Sequence, residues 1–478
     1  MDFIGVILNL LSRVNGTWAS GVTHTGLFQY LDKQVFSYLF KSNNEKCAAL
    51  REKILAHKDE FIFCYSNAHL FDLQDDLTDT KYSEMDFMQS VVNGNHLIYK
   101  DGTINLANNH PKDVFENLHD VGDFSWLENI DFSNLTQEQI DVINNISDLT
   151  AKEFTGQLEF DWLKKRTPVS DSGLQIDKDG FRSLINFVAY HFYQNKDSYK
   201  TLRDKVIATY NPSSIVAQGE VFNEQFSSSP LHLSFMELIQ TTLKQTGLSS
   251  KDPAITYFLS YVLFDLFGID KEPRGKVRFK NVSVDAYHSF FALYCDCMVS
   301  DDDGVRRKSK GLYKLFNQAT KVYSLDEFIR SFDEAIANNR KSAREYFDEI
   351  IDDYLRRNEL STESTPEHIV TCIETSHEYF GYFNCMFEMK KGGETMIILH
   401  RNNDIYRPLS SQEIAIVVNR VSESFNSIGA TWPYFNYQEE WAQLCDDTWG
   451  RTLNMDDAVI TLTKFKKLPM LELMIQLK

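Results

Sequence analysis

Hydrophobic and polar positions in the first part of the chain follow the pattern of an α/β sheet. Short apolar runs with β-branched and aromatic residues alternate with stretches whose apolar positions recur every three or four residues. The pattern predicts a strand at 27–35, a helix at 44–57, a strand at 60–65 and a helix that begins at Ser66. The fold class predicted from this opening is α/β with a mainly parallel sheet.

The same pattern returns after a long helical segment. Apolar spacings of three and four predict helices at 135–154, 179–194, 231–246 and 253–267, and Asp101-Gly102 between two apolar runs predicts a β-hairpin at 96–106. The α/β pattern then resumes with a helix at 284–294, a strand at 297–300, a helix from Gly304, a strand at 320–323 and a helix capped by Ser324.

The last part of the chain has a different organisation. Strands are predicted at 382–387, 395–400, 459–465 and 471–477, a helix at 411–425, and a linker in the Ser/Thr/Glu-rich stretch 361–365. We therefore expect a separate α+β accessory domain. The predicted divisions are a docking helix and loop at 1–27, a core at 28–335 with a helical insertion at 82–275, a connecting helix at 336–361 and the accessory domain at 362–478.

Composition narrows the classes of function. The 478 residues carry 49 basic and 68 acidic side chains, a net charge of −19, which argues against non-specific coating of nucleic acid or anionic membrane. The apolar segment 3–14 is too short for a membrane span and lacks a basic region before it, so it predicts an amphipathic docking helix and no membrane partner. Seven cysteines without paired CxxC spacing favour a reducing cytoplasm.

Acidic residues provide the candidate chemistry. Four of them fall where predicted strands end or the following helices begin, namely Asp32, Asp72, Asp285 and Asp302. Such clusters supply the hard oxygen ligands that Mg²⁺ or Mn²⁺ needs to polarise a water and bridge a phosphate. Each also has a structural interpretation, as a strand end, a solvated helix face or a helix cap. The run Asp301-Asp302-Asp303 is harder to explain structurally, because three adjacent carboxylates repel one another unless a cation is near.

Polar and basic side chains near these carboxylates are candidates for supporting roles. Residues 271–321 contain eleven basic and six acidic side chains, a local reversal of the overall charge that suits a polyanionic substrate. The candidate substrate-binding residues are Arg306, Arg307, Lys308 and Lys310, against the alternative of a solvated basic helix face. The candidate auxiliary residues are Ser66, His69, His288, Ser300 and Asp301. For the two histidines, a half-buried ring bonded to backbone is the structural alternative.

Together these residues resemble the PIN domain, or PilT N-terminal domain, a family of metal-dependent nucleases. Asp32 follows the first strand, Asp72 lies six positions after Ser66, Asp285-Ala286 opens the late helix, and Ser300-Asp301-Asp302 ends the late strand. The resemblance covers roughly residues 28–76 and 282–330 and includes the closing segment around Val322 to Phe328. The chain departs from the family pattern at Lys33-Gln34, where the family has Thr-Asn.

The resemblance implies a PIN-like core that hydrolyses phosphodiesters with Mg²⁺ or Mn²⁺, with single-stranded RNA favoured over DNA as substrate of an endonuclease. A toxin or defence nuclease held inactive until triggered would use the same chemistry. The non-enzymatic alternative is a catalytically degenerate PIN-like scaffold, which Lys33-Gln34 and the acidic total favour. It would bind a protein partner, or self-associate, through the helical insertion or the accessory domain.

Overall fold

The computed structural model describes residues 26–42, 44–74, 76–118, 252–269, 278–401, 409–445, 449–464 and 471–478, with short segments between 169 and 246. The predicted helices at 3–14, 135–154 and 179–194 lie outside the described residues. None of the helices in the described part of the chain combines the length and apolarity that a membrane span needs.

The described strands form a six-stranded sheet, a seven-stranded sheet and a two-stranded hairpin. They are β1 Phe28–Leu31, β2 Ile62–Ser66, β3 Asn95–Lys100, β4 Thr103–Asn108, β5 Val169–Ser170, β6 Gly173–Leu174, β7 Cys297–Val299, β8 Lys321–Tyr323, β9 Glu359–Ser364, β10 Ile369–Ile373, β11 Cys385–Lys391, β12 Glu394–His400, β13 Gly450–Asn454, β14 Ala458–Lys464 and β15 Leu471–Leu477.

Helices connect and cover these sheets. Those described are α1 Lys33–Lys41, α2 Glu45–His57, α3 Asn67–Gln74, α4 Thr80–Val92, α5 Pro111–Glu116, α6 Phe222–Gln225, α7 Phe235–Thr246, α8 Pro253–Leu266, α9 Phe279–Ala292, α10 Asp303–Leu315, α11 Leu325–Asn339, α12 Ala343–Arg356, α13 Ser411–Asn426 and α14 Tyr437–Cys445.

The six-stranded sheet has the order β4-β3-β2-β1-β7-β8. Strands β1, β2, β3, β7 and β8 pair in parallel, and β4 joins β3 antiparallel. The predicted α/β class is thus confirmed, and the sheet is mixed, with five parallel strands and one antiparallel edge strand. Since β2 lies on one side of β1 and β7 on the other, the strand order reverses at β1. A crevice for ligands forms at the carboxyl ends of parallel strands at such a point.

Local sequence explains the element boundaries around β1. The predicted strand at 27–35 is too long, because Asp32 ends β1 and its carboxylate accepts a hydrogen bond from the Gln34 amide at 3.2 Å, which starts α1. The hairpin prediction is confirmed: β3 and β4 meet at Asp101 and Gly102, which both have the positive φ (54° and 78°) of a tight two-residue turn.

The seven-stranded sheet is antiparallel and has the order β13-β14-β15-β12-β11-β10-β9. The predicted linker at 361–365 is wrong, because residues 359–364 form β9, the edge strand paired with β10. Its residues are all half-buried or exposed, as expected for an edge strand that faces solvent. One hydrophobic cluster includes residues of both large sheets. The buried Arg401 guanidinium also contacts the Asp296 carboxylate, which accepts from the Phe28 amide at 2.7 Å.

The buried carboxylate of Glu388 on β11 gives a pH-dependent prediction. Burial alone would raise the pKa of Glu388, but hydrogen bonds from Arg357 and Tyr354 lower it to about 2, below an ordinary value of about 4.3. The stability from this carboxylate is therefore fully present above about pH 4.3 and is lost as the pH falls toward 2. We expect the melting temperature of Glu388→Gln to fall less steeply than that of the wild type between pH 5 and pH 2.5, as measured by circular dichroism. Parallel curves would contradict the assignment.

Candidate metal centre

Asp32 lies at the carboxyl end of the central strand β1. Its backbone amide donates to the Val299 carbonyl of β7 at 2.8 Å, so the residue continues the sheet hydrogen bonding by one position. Its Oδ1 accepts from the Gln34 amide, and its Oδ2 accepts from the Ser300 hydroxyl at 2.6 Å. The carboxylate is held from two sides, and the residue is 7 % exposed, so one edge of Asp32 still faces outward.

Asp72 reaches the same place from β2. The strand ends at Ser66, and α3 begins at the next residue, so Asp72 lies in the second turn of that helix. The buried face of α3 carries Ala68, Leu70 and Leu73, whereas the Asp72 side chain is 36 % exposed. The chain thus places a solvent-facing carboxylate next to the buried one of Asp32.

His288 on α9 completes the group. Its Nε2 lies 3.0 Å from Asp72 Oδ2 and 4.0 Å from Asp32 Oδ1, and the ring is 2 % exposed. Among the described residues, these three form a group that could hold a metal ion, with all ligand atoms within 4.8 Å of one another. Ligands of a shared first-row cation lie roughly 3 Å apart, so a small shift of the exposed Asp72 side chain would bring the set together.

The charges of the two aspartates act on His288. Burial alone would lower its pKa, but the hydrogen bond to Asp72 and the negative charge of Asp32 outweigh burial and raise the pKa of His288 above its ordinary value. A proton on Nε2 then offsets the repulsion between the carboxylates. A metal ion in this place would have to displace that proton, because only the neutral imidazole is a ligand.

The other ring nitrogen of His288 contacts a buried hydroxyl. Nδ1 lies 2.9 Å from the hydroxyl oxygen of Tyr30, and that oxygen lies 2.7 Å from Ser66 Oγ. Tyr30 and Ser66 are both fully buried. A histidine that ligates a metal through Nε2 is normally held by such a hydrogen bond on Nδ1. The sequence predicts Ser66 and His288 only as auxiliary residues, and no motif in it singles out Tyr30.

Two of the four predicted carboxylates lie outside this group. Asp302 is the N-cap of α10, and its Oδ1 accepts from the Gly304 and Val305 amides at 2.7 and 3.0 Å. Asp285 does not open a helix as predicted, because α9 begins at Phe279 and Asp285 lies one turn before His288. The predicted cluster of four aspartates is therefore replaced, among the described residues, by Asp32, Asp72 and His288.

The acidic run after β7 is stabilised by an arginine. Arg306 contacts the carboxylate of Asp303, lies 4.0 Å from that of Asp301, and donates to the Ser300 carbonyl at 2.8 Å. Adjacent carboxylates need a nearby positive charge, and here the Arg306 guanidinium provides it. No metal ion is needed to explain Asp301.

The predicted basic surface is smaller than expected. Lys308 is fully buried, and its ammonium lies 2.9 Å from the carboxylate of Asp265, so it cannot contact a substrate at the surface. The prediction for Lys308 is wrong because α10 is amphipathic and Lys308 falls on its buried face. Arg306 is engaged with its own turn, while Arg307 and Lys310 are exposed.

His69 has a structural role. The ring is fully buried, Nε2 lies 2.7 Å from the Leu31 carbonyl, and the Ser66 amide donates to Nδ1 at 3.1 Å. Burial lowers the pKa of His69 well below its ordinary value, which keeps the ring neutral. His69 therefore ties the end of β1 to the start of α3 and so fixes the positions of Asp32 and Asp72.

Lys33 and Gln34, where the chain departs from the PIN pattern, both have partners. The Lys33 ammonium lies 3.7 Å from the buried Glu84 carboxylate, and the Gln34 side chain donates to the Tyr38 hydroxyl at 2.6 Å. Neither residue belongs to the group of three potential ligands. The departure therefore leaves Asp32, Asp72 and His288 in place.

Comparisons with known proteins give no relative from which the site could be assigned. No family model, no curated protein and no solved structure matches the chain.

Proposed function

We propose that the chain is a metal-dependent nuclease with a PIN-like core, in which Asp32, Asp72 and His288 bind the cation. The observation that carries the proposal is the convergence of these three side chains where the strand order of the sheet reverses. Two carboxylates and one imidazole provide oxygen and nitrogen donors within 4.8 Å of one another. Such a cation can polarise a phosphate oxygen and lower the pKa of a bound water.

The donor set favours Mn²⁺ over Mg²⁺. Carboxylates suit both ions, but an imidazole nitrogen is a better ligand for transition metals than for Mg²⁺. The substrate we propose is single-stranded RNA, on the strength of the family resemblance. Arg307 and Lys310 on the exposed side of α10 are the candidates for contacting its phosphates, because the helix begins beside Ser300, which holds Asp32.

A catalytically degenerate scaffold is the second candidate. It is favoured by the hydrogen bond between Asp72 and His288 and by the bond from Ser300 to Asp32, since these contacts satisfy the site without a cation. In this function the group stabilises the fold, and the helical segment or the seven-stranded sheet binds a protein partner.

A thermal melt separates the two functions without knowledge of the substrate. For a Kd near 10 μM, millimolar Mn²⁺ should stabilise the folded protein by about 2.7 kcal/mol and raise the melting temperature by about 2–4 °C. We expect this shift in the wild type relative to EDTA and its loss in Asp72→Asn. Asp79→Asn is the matched control, because Asp79 is exposed and its side chain caps no helix amide. Identical wild-type melts in EDTA and Mn²⁺ would favour the scaffold.

The nuclease activity is tested by incubating the full chain with a labelled single-stranded RNA and with DNA of the same sequence. We expect cleavage of RNA with Mn²⁺, slower cleavage with Mg²⁺ and none with EDTA. Metal binding without cleavage of either strand would retain the metal site and reject the nuclease.

A further inference from the structure

Beneath the candidate metal centre lies a row of three buried polar side chains. The Tyr30 hydroxyl lies between Ser66 Oγ, at 2.7 Å, and His288 Nδ1, at 2.9 Å. Tyr30 and Ser66 are fully buried, and His288 is 2 % exposed. The Ala68 amide donates to Ser66 Oγ at 3.3 Å from the far side. The row connects the first turn of α3 with the ring that faces the two aspartates.

The hydrogens of this row can be arranged in two ways, because each hydroxyl has one proton and can also accept. In the first arrangement Ser66 donates to Tyr30, and Tyr30 donates to an unprotonated Nδ1. In the second, Nδ1–H donates to Tyr30, and Tyr30 donates to Ser66. In both arrangements each oxygen and Nδ1 keeps a hydrogen-bond partner, so the row can reverse direction. In the second arrangement the Ser66 proton has no acceptor within the row.

A cation would require one of these arrangements. If Nε2 held a metal ion, its lone pair would be occupied, so the imidazole proton would reside on Nδ1 and Tyr30 would accept it. A neutral ring without a cation instead donates from Nε2 to Asp72, 3.0 Å away, and Tyr30 donates to Nδ1. A backbone carbonyl oxygen in the place of Tyr30 could only accept, so it could pair only with a protonated Nδ1. A hydroxyl serves both states.

We propose that Tyr30 and Ser66 are positioning residues that form a reversible hydrogen-bond relay and set His288 in the tautomer that binds a metal. The inference rests on the proposed metal centre and goes beyond it, because it assigns a function to two residues that do not touch the cation. The relay also explains how the same buried ring is satisfied with and without the metal.

Tyr30→Phe tests the relay because it keeps the ring and removes the oxygen. Calorimetric titration with Mn²⁺ should give a Kd about 10- to 100-fold weaker than that of the wild type, the usual loss for a residue that supports a metal ligand. The matched control is Tyr257→Phe. Tyr257 is a buried tyrosine whose hydroxyl lies 2.6 Å from Ser289 Oγ, outside the site, so its loss removes a similar bond and should leave the Kd unchanged.

A spectroscopic measurement separates positioning from general destabilisation. The ¹⁵N shifts of the His288 ring, recorded with diamagnetic Zn²⁺ as the probe, report which nitrogen carries the proton. We expect the proton on Nδ1 in the Zn²⁺-bound wild type, and incomplete conversion at the same Zn²⁺ concentration in Tyr30→Phe. Should Tyr30→Phe fail to fold, Ser66→Ala is the substitute, because it removes the acceptor at the far end of the row.

The outcomes distinguish this inference from the proposed function. A wild type that does not bind Mn²⁺ overturns both. A wild type that binds Mn²⁺, together with a Tyr30→Phe variant of equal Kd and equal ring tautomer, overturns the relay and leaves the metal centre standing.

Discussion

Asp32→Asn is expected to lower the rate of Mn²⁺-dependent RNA cleavage by at least about a hundredfold, because the change removes the ligand charge at the centre of the site. Asparagine has nearly the same shape, and its amide oxygen can still accept from the Gln34 amide, so α1 should form as before. Its –NH2 group takes the place of the oxygen that accepts from Ser300, and the Ser300 hydroxyl can turn to accept from it. The loss should therefore appear in cleavage and in Mn²⁺ binding, whereas the far-UV circular dichroism spectrum stays that of the wild type.

The control for this variant is Asp79→Asn, which removes one negative charge from an exposed helix start near α3 and touches none of the three ligands. Initial rates of both variants should be measured over a range of Mn²⁺ concentrations. If Asp32→Asn retains the wild-type rate at saturating Mn²⁺, the cation is not held by Asp32 and the assignment of the site is wrong.

The placement of Asp32 and Asp72 could be predicted because it depends on local sequence. A polar residue that ends an apolar strand must lie at the edge of the sheet, and in parallel strands those edges coincide. Asp32 follows β1, and Asp72 lies six residues after the end of β2, in the second turn of α3, so both lie at the same edge. What the sequence could not show was that the third member of the group is an imidazole.

The choice between Asp285 and His288 illustrates that limit. Asp285 and His288 are three residues apart on α9, so both can lie on the same face of the helix. Asp285 was the predicted ligand because Mg²⁺ and Mn²⁺ prefer oxygen ligands. The helix, however, begins at Phe279, six residues before Asp285, and the ring of His288 is the group that faces Asp32 and Asp72. The helix also packs on α8, and tertiary packing of this kind is not encoded by a local pattern.

The predictions for Asp302 and for segment 361–365 differ from the structure because the same local sequence also fits a second structural role. An aspartate that follows a strand and precedes a helix is as well explained by capping as by metal binding, and at Asp302 capping is what the structure has. Polar Ser/Thr/Glu residues are typical of linkers, but they also suit an edge strand, where the Thr362 hydroxyl donates to that of Thr371 at 3.1 Å on β10.

The second large effect is expected at a buried ion pair behind the site. Asp265 on α8 accepts from the Lys308 ammonium at 2.9 Å and from the Tyr199 hydroxyl at 2.9 Å, and Arg203 lies 3.7 Å away. Asp265 and Lys308 are at most 1 % exposed. The ion pair of Lys308 and Asp265 ties α10 to α8. Helix α10 begins three residues after Ser300, whose hydroxyl donates to Asp32, so the pair stabilises the helix next to the site.

Asp265→Asn should lower the free energy of unfolding by about 3–5 kcal/mol, because it removes the carboxylate that faces two buried cations. Lys308→Met should cost less, since Asp265 keeps Arg203 and Tyr199 as partners. The double variant should then be more stable than Asp265→Asn alone, because one of the two buried positive charges has gone.

Urea unfolding followed by tryptophan fluorescence measures the stability of all three variants. The control is Lys310→Met, because Lys310 is an exposed lysine on the same helix. A double variant no more stable than Asp265→Asn would mean that the loss comes from the hydrogen bond of Tyr199 and from packing rather than from unpaired charge.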